Sequence, residues 1–278
     1  MRARLALLVV ALLLTAASGA RARAEVCDRP RAYSQAAARN AASLDDLAWS
    51  PFGRPENGWA IYGPKIADEI RTGCAPDTPG FARALARWQR VRHQAGAGQL
   101  DPATFEAMKS GWQERRPYVA LRNAGACPDA PDLSKLAAAA PEESDGGKII
   151  LLRPAALAAL RRMVSQARRE VPEAAADPER LMLFSGFRDP ADDAARCQAE
   201  GNCNGVVRAQ CSAHRTGLAV DLVLGAAPGF DVDSSADANR LWQTQTETYR
   251  WLVVHAGRYG FVNYVFEPWH WEWTGKAP

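Results

Sequence analysis

One aspartate most constrains how this chain of 278 residues folds. Asp221 lies within the apolar segment LAVDLVL, where Leu218, Val220, Leu222 and Leu224 share one face and Asp221 lies on the other. Alternation with a period of two predicts a β-strand. A carboxylate on such a strand is costly unless a partner keeps it ionised. The segment therefore predicts a strand whose charged side chain contributes to a polar site inside the protein.

Two of the four histidines are candidate partners for Asp221. His93 falls at the end of a predicted surface helix. His255 falls inside the last long helix, which is predicted over Asn239–Tyr259, and a structural role is favoured there. His214 precedes Asp221 by seven residues, and His270 follows near the end of the chain. Two imidazoles and one carboxylate form the protein shell of many catalytic zinc sites, whose fourth position holds a water of lowered pKa. Cobalt or nickel would also suit these ligands.

Glu267, three residues before His270, is the candidate general base for that water. Pro268 disfavours a continuous helix here, so the spacing differs from the helical H-E-x-x-H of other zinc peptidases. A purely structural alternative remains, in which Asp221 accepts hydrogen bonds from backbone amides and His270 caps an aromatic cluster.

The motif S-x-H-x-x-G-x-A-x-D, which ends at Asp221, is followed later in the chain by E-P-W-H, which ends at His270. This combination closely resembles the D-alanyl-D-alanine carboxypeptidases of the VanY type, within the lysostaphin/D-Ala-D-Ala/hedgehog group of zinc metallopeptidases. The resemblance runs from about 148 to 273 and implies one zinc ion per chain, with Glu267 as the catalytic base. The zinc ligands that it implies are His214, Asp221 and His270.

The same resemblance assigns two further residues. SGFRD, residues 185–189, is similar to the family's S-G-[YF]-R segment, which implies that Arg188 contacts the substrate and stabilises the oxyanion. The alternative for Arg188 is an ion pair at the surface. Ser212 would help to hold the substrate, whereas Gly217 supplies a backbone conformation. The insert RCQAEGNCNGVVRAQC departs from the family pattern and leaves the specificity open.

The periodicities predict an α+β fold, because strands and helices mix without strict alternation. A mostly antiparallel zinc peptidase domain, residues 148–278, follows a connection at 121–147 that is rich in alanine, proline and acidic residues. Residues 25–120 precede it as a small helical module.

Part of that module, FARALARWQRVRHQAGAGQLDPATFEAM, resembles the helical peptidoglycan-binding module of cell-wall enzymes. Its first helix is predicted to start at Asp77 or Thr78, with Phe81, Leu85, Trp88 and Val91 on the buried face. The second is predicted to start at Asp101-Pro102, with a buried side formed by Phe105, Met108 and Trp112. The resemblance implies glycan binding; the alternative is a helical hairpin with a packing role only.

The first 24 residues have the layout of a signal peptide: a basic start, the apolar run LALLVVALLL, and ARA at the cleavage point. All six cysteines follow that point, which predicts up to three disulfides in an exported protein. Their spacing includes no C-x-x-C, which argues against a cysteine zinc site. The formal charge of +3 argues against nucleic acid as a partner, and no later segment favours stable membrane insertion.

We therefore expect an exported hydrolase, periplasmic or secreted and associated with the cell wall. The expected reaction is zinc-dependent D-alanyl-D-alanine carboxypeptidase cleavage of peptidoglycan stem peptides. Two alternatives are a peptidoglycan endopeptidase of the same fold and a non-catalytic protein that binds the cell wall.

Overall fold

The computed structural model describes residues 27–49, 56–125, 127, 129–199, 201 and 211–275. The predicted signal peptide, residues 1–24, lies outside these residues, as do positions 202–210 of the cysteine-bearing insert. Among the helices of the described ranges, none is long and apolar enough to cross a membrane.

The chain forms two compact units: of the described residues, 27–49 and 57–105 belong to the first, and Glu56 and those from Glu106 onwards belong to the second, so the main division lies between Phe105 and Glu106. The helices before or across this division are α1 (Ser34–Ser43), α2 (Gly63–Glu69), α3 (Pro79–Val91) and α4 (Pro102–Gln113). Two short strands are β1 (Ala48–Trp49) and β2 (Glu56–Asn57).

Helix α3 begins as its capping residues predict. The Thr78 hydroxyl accepts a hydrogen bond from the Phe81 amide at 3.4 Å, and proline occupies the first turn. Phe81, Leu85 and Trp88 are buried on one face. The prediction for Val91 is wrong: its side chain is 70% exposed, since the helix ends at this residue.

The residues that resemble a peptidoglycan-binding module hold the loop between α3 and α4. The buried Gln89 donates to the Gln99 carbonyl and to the Thr104 hydroxyl, both at 2.9 Å, and accepts from the Gly98 amide at 2.8 Å. Gly98 has a φ of +75°, and a Cβ there would lie 2.4 Å from the Ala82 carbonyl oxygen. The motif therefore has a structural role, and the glycan-binding role stays a prediction.

The second unit contains the rest of the described chain. Its helices are α5 (Pro117–Asn123), α6 (Pro154–Glu170), α7 (Pro172–Ala176), α8 (Pro190–Ala199), α9 (Asp237–Gln245) and α10 (Glu247–His255). Its strands are β3 (Ala137–Ala138), β4 (Leu151–Leu152), β5 (Leu183–Ser185), β6 (Ala219–Leu222), β7 (Phe261–Asn263) and β8 (His270–Trp273).

Four of these strands form one antiparallel sheet in the order β5-β6-β8-β7. Strand β6 lies between β5 and β8, and all four of its residues are buried. The strands and helices confirm the α+β class. Asp221, near the end of β6, therefore lies within the sheet interior, flanked by a strand on each side.

One predicted helix is divided. The chain from Asn239 to Tyr259 forms α9, α10 and a 3₁₀ turn, Ala256–Tyr259, instead of a single helix. Thr246 has an extended backbone, with ψ 145°, and its hydroxyl accepts from the Tyr249 amide at 3.2 Å. A threonine that caps the second helix thus ends the first.

The residues predicted as a connection, 121–147, belong to the second unit and supply β3, whose Ala137 pairs with Leu152 of β4. The functional division into a module at 25–120, this connection and a peptidase domain at 148–278 stays a prediction.

Two disulfides join Cys27 to Cys74 and Cys127 to Cys211. Cys197 is disulfide-bonded as well, and Cys203 lies outside the described residues. These bonds agree with the predicted use of the cysteines.

Candidate metal and catalytic centre

Three elements bring the predicted metal ligands together. Asp221 of β6 and His270 of β8 are directly paired across the two strands, so both side chains project from the same face of the sheet. His214 comes from the 3₁₀ turn Ala213–Thr216, just before β6.

Local sequence shapes that turn. The Ser212 hydroxyl accepts a hydrogen bond from the His214 amide at 3.1 Å and so caps the start of the turn. Gly217 ends it with a φ of +67°, and a Cβ there would lie 2.8 Å from a Leu136 methyl. Ser212 therefore positions His214, while its predicted contact with substrate stays a prediction.

The three side chains form a compact donor set. The candidate ligand atoms of His214, Asp221 and His270 all lie within 4.8 Å of one another. His214 Nε2 is 3.1 Å from Asp221 Oδ2, and His270 Nδ1 is 2.8 Å from Asp221 Oδ1. All three residues are buried. Two imidazole nitrogens and a carboxylate oxygen are thus available to one cation.

The other nitrogen of each imidazole faces an acceptor. His214 Nδ1 is 2.7 Å from the Gly186 carbonyl oxygen, and His270 Nε2 is 3.5 Å from Glu272 Oε1. An acceptor at one ring nitrogen holds the proton there and leaves the other nitrogen free to bind a metal.

The pKa shifts of the three candidate ligands agree with a site that binds a cation. Although burial opposes ionisation, His214 and His270 hold the pKa of Asp221 well below its usual range. Burial lowers the pKa of His214, whereas hydrogen bonds to Asp221 and Glu272 overcome burial and raise that of His270 to about 9. A cation bound by these side chains at neutral pH would therefore displace a proton from His270.

Glu267 lies in the turn between β7 and β8. Its amide donates to the Tyr264 carbonyl and its carbonyl accepts from the His270 amide, both at 2.9 Å. Burial raises the pKa of Glu267 to about 7, and the negative charge of Asp221 adds to this rise, while His270 and the nearby arginines oppose it. A carboxylate of this kind exchanges a proton near neutral pH, as a general base must.

Arg188 follows β5 and points towards the same centre. One guanidinium nitrogen is 3.3 Å from Asp193 Oδ1, and the other is 3.3 Å from the Ser185 hydroxyl and 3.9 Å from Asp221 Oδ2. Its Nε is buried and has no hydrogen-bond partner among the described residues. The side chain is therefore partly buried in the site and is not a surface ion pair.

A cavity of about 670 Å³ opens beside these groups. The predicted site residues that line it are Arg188, Ser212, His214, Asp221, Glu267 and His270. Arg122 and Lys148 add positive charge to its wall. The volume suits a small peptide.

Two residues of this neighbourhood were absent from the sequence prediction. Glu272 is 2% exposed. Burial alone would raise the pKa of its carboxyl group, but His270 and Arg116 outweigh burial and lower that pKa to about 2. The period of two along β8 places Glu272 on the same face as His270, which is a signal that the sequence contains. Arg116, which pairs with Glu272, carries no such signal because it lies 156 residues away.

Residues 149–276 match the family model described as VanY: D-alanyl-D-alanine carboxypeptidase. No match was found among curated proteins. The matched range agrees with the resemblance predicted over about 148–273, and the resemblance of 25–120 to a peptidoglycan-binding module stays a prediction. Residues 149–276 therefore belong to the VanY family of D-alanyl-D-alanine carboxypeptidases.

Proposed function

We propose that the protein is an exported, zinc-dependent D-alanyl-D-alanine carboxypeptidase that acts on peptidoglycan stem peptides. The observation that carries the proposal is the buried donor set of His214, Asp221 and His270 at the wall of a cavity that Glu267 and Arg188 also line. The family match supports carboxypeptidase chemistry.

The donor set fits zinc. Two imidazole nitrogens and one carboxylate oxygen are ligands that catalytic zinc uses, and each histidine has an acceptor that fixes its second nitrogen. A zinc ion, when bound, supplies Lewis-acid chemistry that activates water and polarises a carbonyl oxygen.

The protein residues then have distinct tasks. The Glu267 carboxylate takes the proton from the attacking water and delivers it to the amine of the leaving D-alanine. The Arg188 guanidinium, one of whose terminal nitrogens lies 3.9 Å from Asp221 Oδ2, faces the negative charge that develops on the carbonyl oxygen. Arg122 and Lys148, at the wall of the cavity, offer positive charge to a substrate that carries carboxylates.

Release of D-alanine tests the reaction. The purified protein is incubated with a muramyl pentapeptide, with and without a chelator, and the chelated sample then receives zinc. We expect D-alanine release that stops on chelation and returns with zinc. Cleavage of cross-linked muropeptides without D-alanine release from the pentapeptide would favour the endopeptidase instead.

Glu267→Gln separates an enzyme from a binding protein. We expect kcat to fall by about 10²- to 10⁴-fold, because the general base is lost, while the zinc content is unchanged. Glu114→Gln, a change at an exposed position of the same unit, is the matched control. A wild-type protein that binds muropeptides and cleaves none of them would identify a non-catalytic wall-binding protein.

Export is supported by the predicted signal peptide and by the disulfides, which persist in oxidising compartments. Amino-terminal sequencing of the protein from a periplasmic or culture fraction tests this part. Cleavage near residue 24 is the expected result, and an uncleaved protein confined to the cytosol would contradict it.

A further inference from the structure

A buried ion pair lies directly behind the metal ligands. Arg116 Nε donates to Glu272 Oε1 at 2.7 Å, and a terminal nitrogen of the same guanidinium lies 2.6 Å from that oxygen. The Tyr118 amide donates to the other carboxylate oxygen at 3.0 Å. The Arg116 and Glu272 side chains are 8% and 2% exposed. Both oxygens of Glu272 are therefore held in place by the segment around Arg116.

Glu272 in turn faces a metal ligand. His270 Nε2 is 3.5 Å from Glu272 Oε1, and the Nδ1 of the same ring is 2.8 Å from Asp221. A carboxylate beside Nε2 favours the proton on that nitrogen, so the lone pair of Nδ1 is directed to the donor set. The orientation of Glu272 thus decides which nitrogen of His270 can bind a cation.

Glu272 depends on Arg116 for its orientation. A buried carboxylate needs a cation or several hydrogen bonds, and Arg116 is the basic side chain that the described structure places on it. The Arg116 guanidinium is fixed from a second side, since it lies 4.0 Å above the Tyr264 ring. The Tyr264 ring itself meets the His270 ring edge-on, with centroids 6.0 Å apart.

Arg116 lies upstream of residues 149–276, which match the family model. Covalent and polar links hold this upstream segment to the site: Cys127 is bonded to Cys211, and the Tyr118 hydroxyl donates to the Cys211 carbonyl. We propose that Arg116 is a positioning residue of the metal centre, which acts through Glu272 to fix the His270 ring with Nδ1 towards the cation. This inference rests on the proposed function, because it requires that the donor set binds a metal.

The test measures zinc affinity, independently of turnover. Metal-free protein competes with a chromophoric chelator for zinc, and its melting temperature is recorded without metal. Arg116→Ala is compared with Arg116→Lys and with Arg115→Ala, a neighbouring exposed arginine that donates to the Gly111 carbonyl. We expect Arg116→Ala to weaken zinc binding by about 10- to 100-fold. Arg116→Lys should weaken it less, and Arg115→Ala should leave it within about twofold of the wild type.

A cobalt-loaded sample adds a spectroscopic measurement. The visible absorption of Co²⁺ reports ligand geometry, so Arg116→Ala should alter the spectrum while Arg115→Ala should not. If Arg116→Ala does not fold, Arg116→Lys decides the matter, because it keeps the charge and loses the planar pair of donors.

Unchanged zinc affinity and an unchanged cobalt spectrum in a folded Arg116→Ala or Arg116→Lys variant would overturn the inference. Failure of the proposed function would give different results from these. The wild type would bind no zinc, or it would bind zinc and release no D-alanine. In the second case, a loss of zinc affinity in Arg116→Ala would still support the positioning role.

Discussion

Asp221 Oδ1 and His270 Nδ1 lie 2.8 Å apart across the paired strands β6 and β8. The pairing gives Asp221 its predicted partner, and His214 Nε2 approaches the other carboxylate oxygen at 3.1 Å. One carboxylate thus bridges two imidazoles, an arrangement in which a cation can replace the proton that they share.

Replacing this carboxylate should remove the metal. Asp221→Asn keeps the size of the side chain and loses its charge, so we expect zinc affinity to fall by more than about 100-fold. Elemental analysis of the purified variant checks this, with Asp132→Asn, an exposed aspartate of the same unit, as the control. Equal zinc content in Asp221→Asn and the wild type would place the metal elsewhere.

The raised pKa of Glu267 predicts a cost in stability. The folded protein holds this proton up to about pH 7, whereas the ordinary value is 4.5, so the unfolding free energy falls as pH rises between these two values. Glu267→Gln stays neutral and avoids this cost. In the metal-free protein, the variant should therefore be more stable above pH 7, by up to about 3 kcal/mol.

Urea unfolding of metal-free wild type and Glu267→Gln at pH 8 and at pH 4 measures this difference. The two proteins should differ at pH 8 and converge at pH 4, where both the folded and the unfolded forms carry the proton. A constant difference at both pH values would mean that the effect arises from packing and not from ionisation.

Arg188 should act mainly on the chemical step. Arg188→Ala removes positive charge beside the centre, and we expect kcat/KM for D-alanine release to fall by about 10²- to 10³-fold with zinc retained. Arg188→Lys should recover part of this loss. Arg162→Ala, an exposed change on α6, is the control for loss of one arginine. A change in KM alone would assign Arg188 to substrate binding.

Two glycines should respond in opposite directions to alanine. Gly217 has a φ of +67° and little space for a Cβ, so Gly217→Ala should lower the melting temperature by several degrees and disturb His214. Gly111 lies inside α4, and a Cβ there would meet nothing within 4 Å. Gly111→Ala should therefore stabilise the protein by about 0.5–1 kcal/mol. Thermal melts of both variants check this contrast; equal shifts would contradict it.

Local patterns predicted much of this structure. Capping residues fixed the start of α3, where Thr78 and Pro79 carry a local signal. The alternation of apolar side chains indicates that Asp221 belongs to a strand, and the residues before and after it in the sequence, Val220 and Leu222, are buried. The division of the last helix at Thr246 was missed, because a threonine inside an apolar period does not show whether its hydroxyl caps a new helix.

The residues of the candidate metal centre can be predicted from the sequence where they belong to the motif. His214, Asp221 and His270 were named from spacing and resemblance, and the structure places them within reach of one cation. Arg116 could not be named, since its partner Glu272 is distant in the chain and only the tertiary fold joins them. The sequence motif thus contains only some of the side chains that shape the site.

The pairing of β8 with β6 also leads us to expect an order of events during folding. Asp221 and His270 are 49 residues apart, and His270 is on the last strand of the described chain. Contacts between such distant residues form slowly, because a long loop must close first. A chain in which β8 has not yet docked would offer a cation only two of the three candidate ligands. We therefore expect coordination by all three side chains only after β8 has paired with β6.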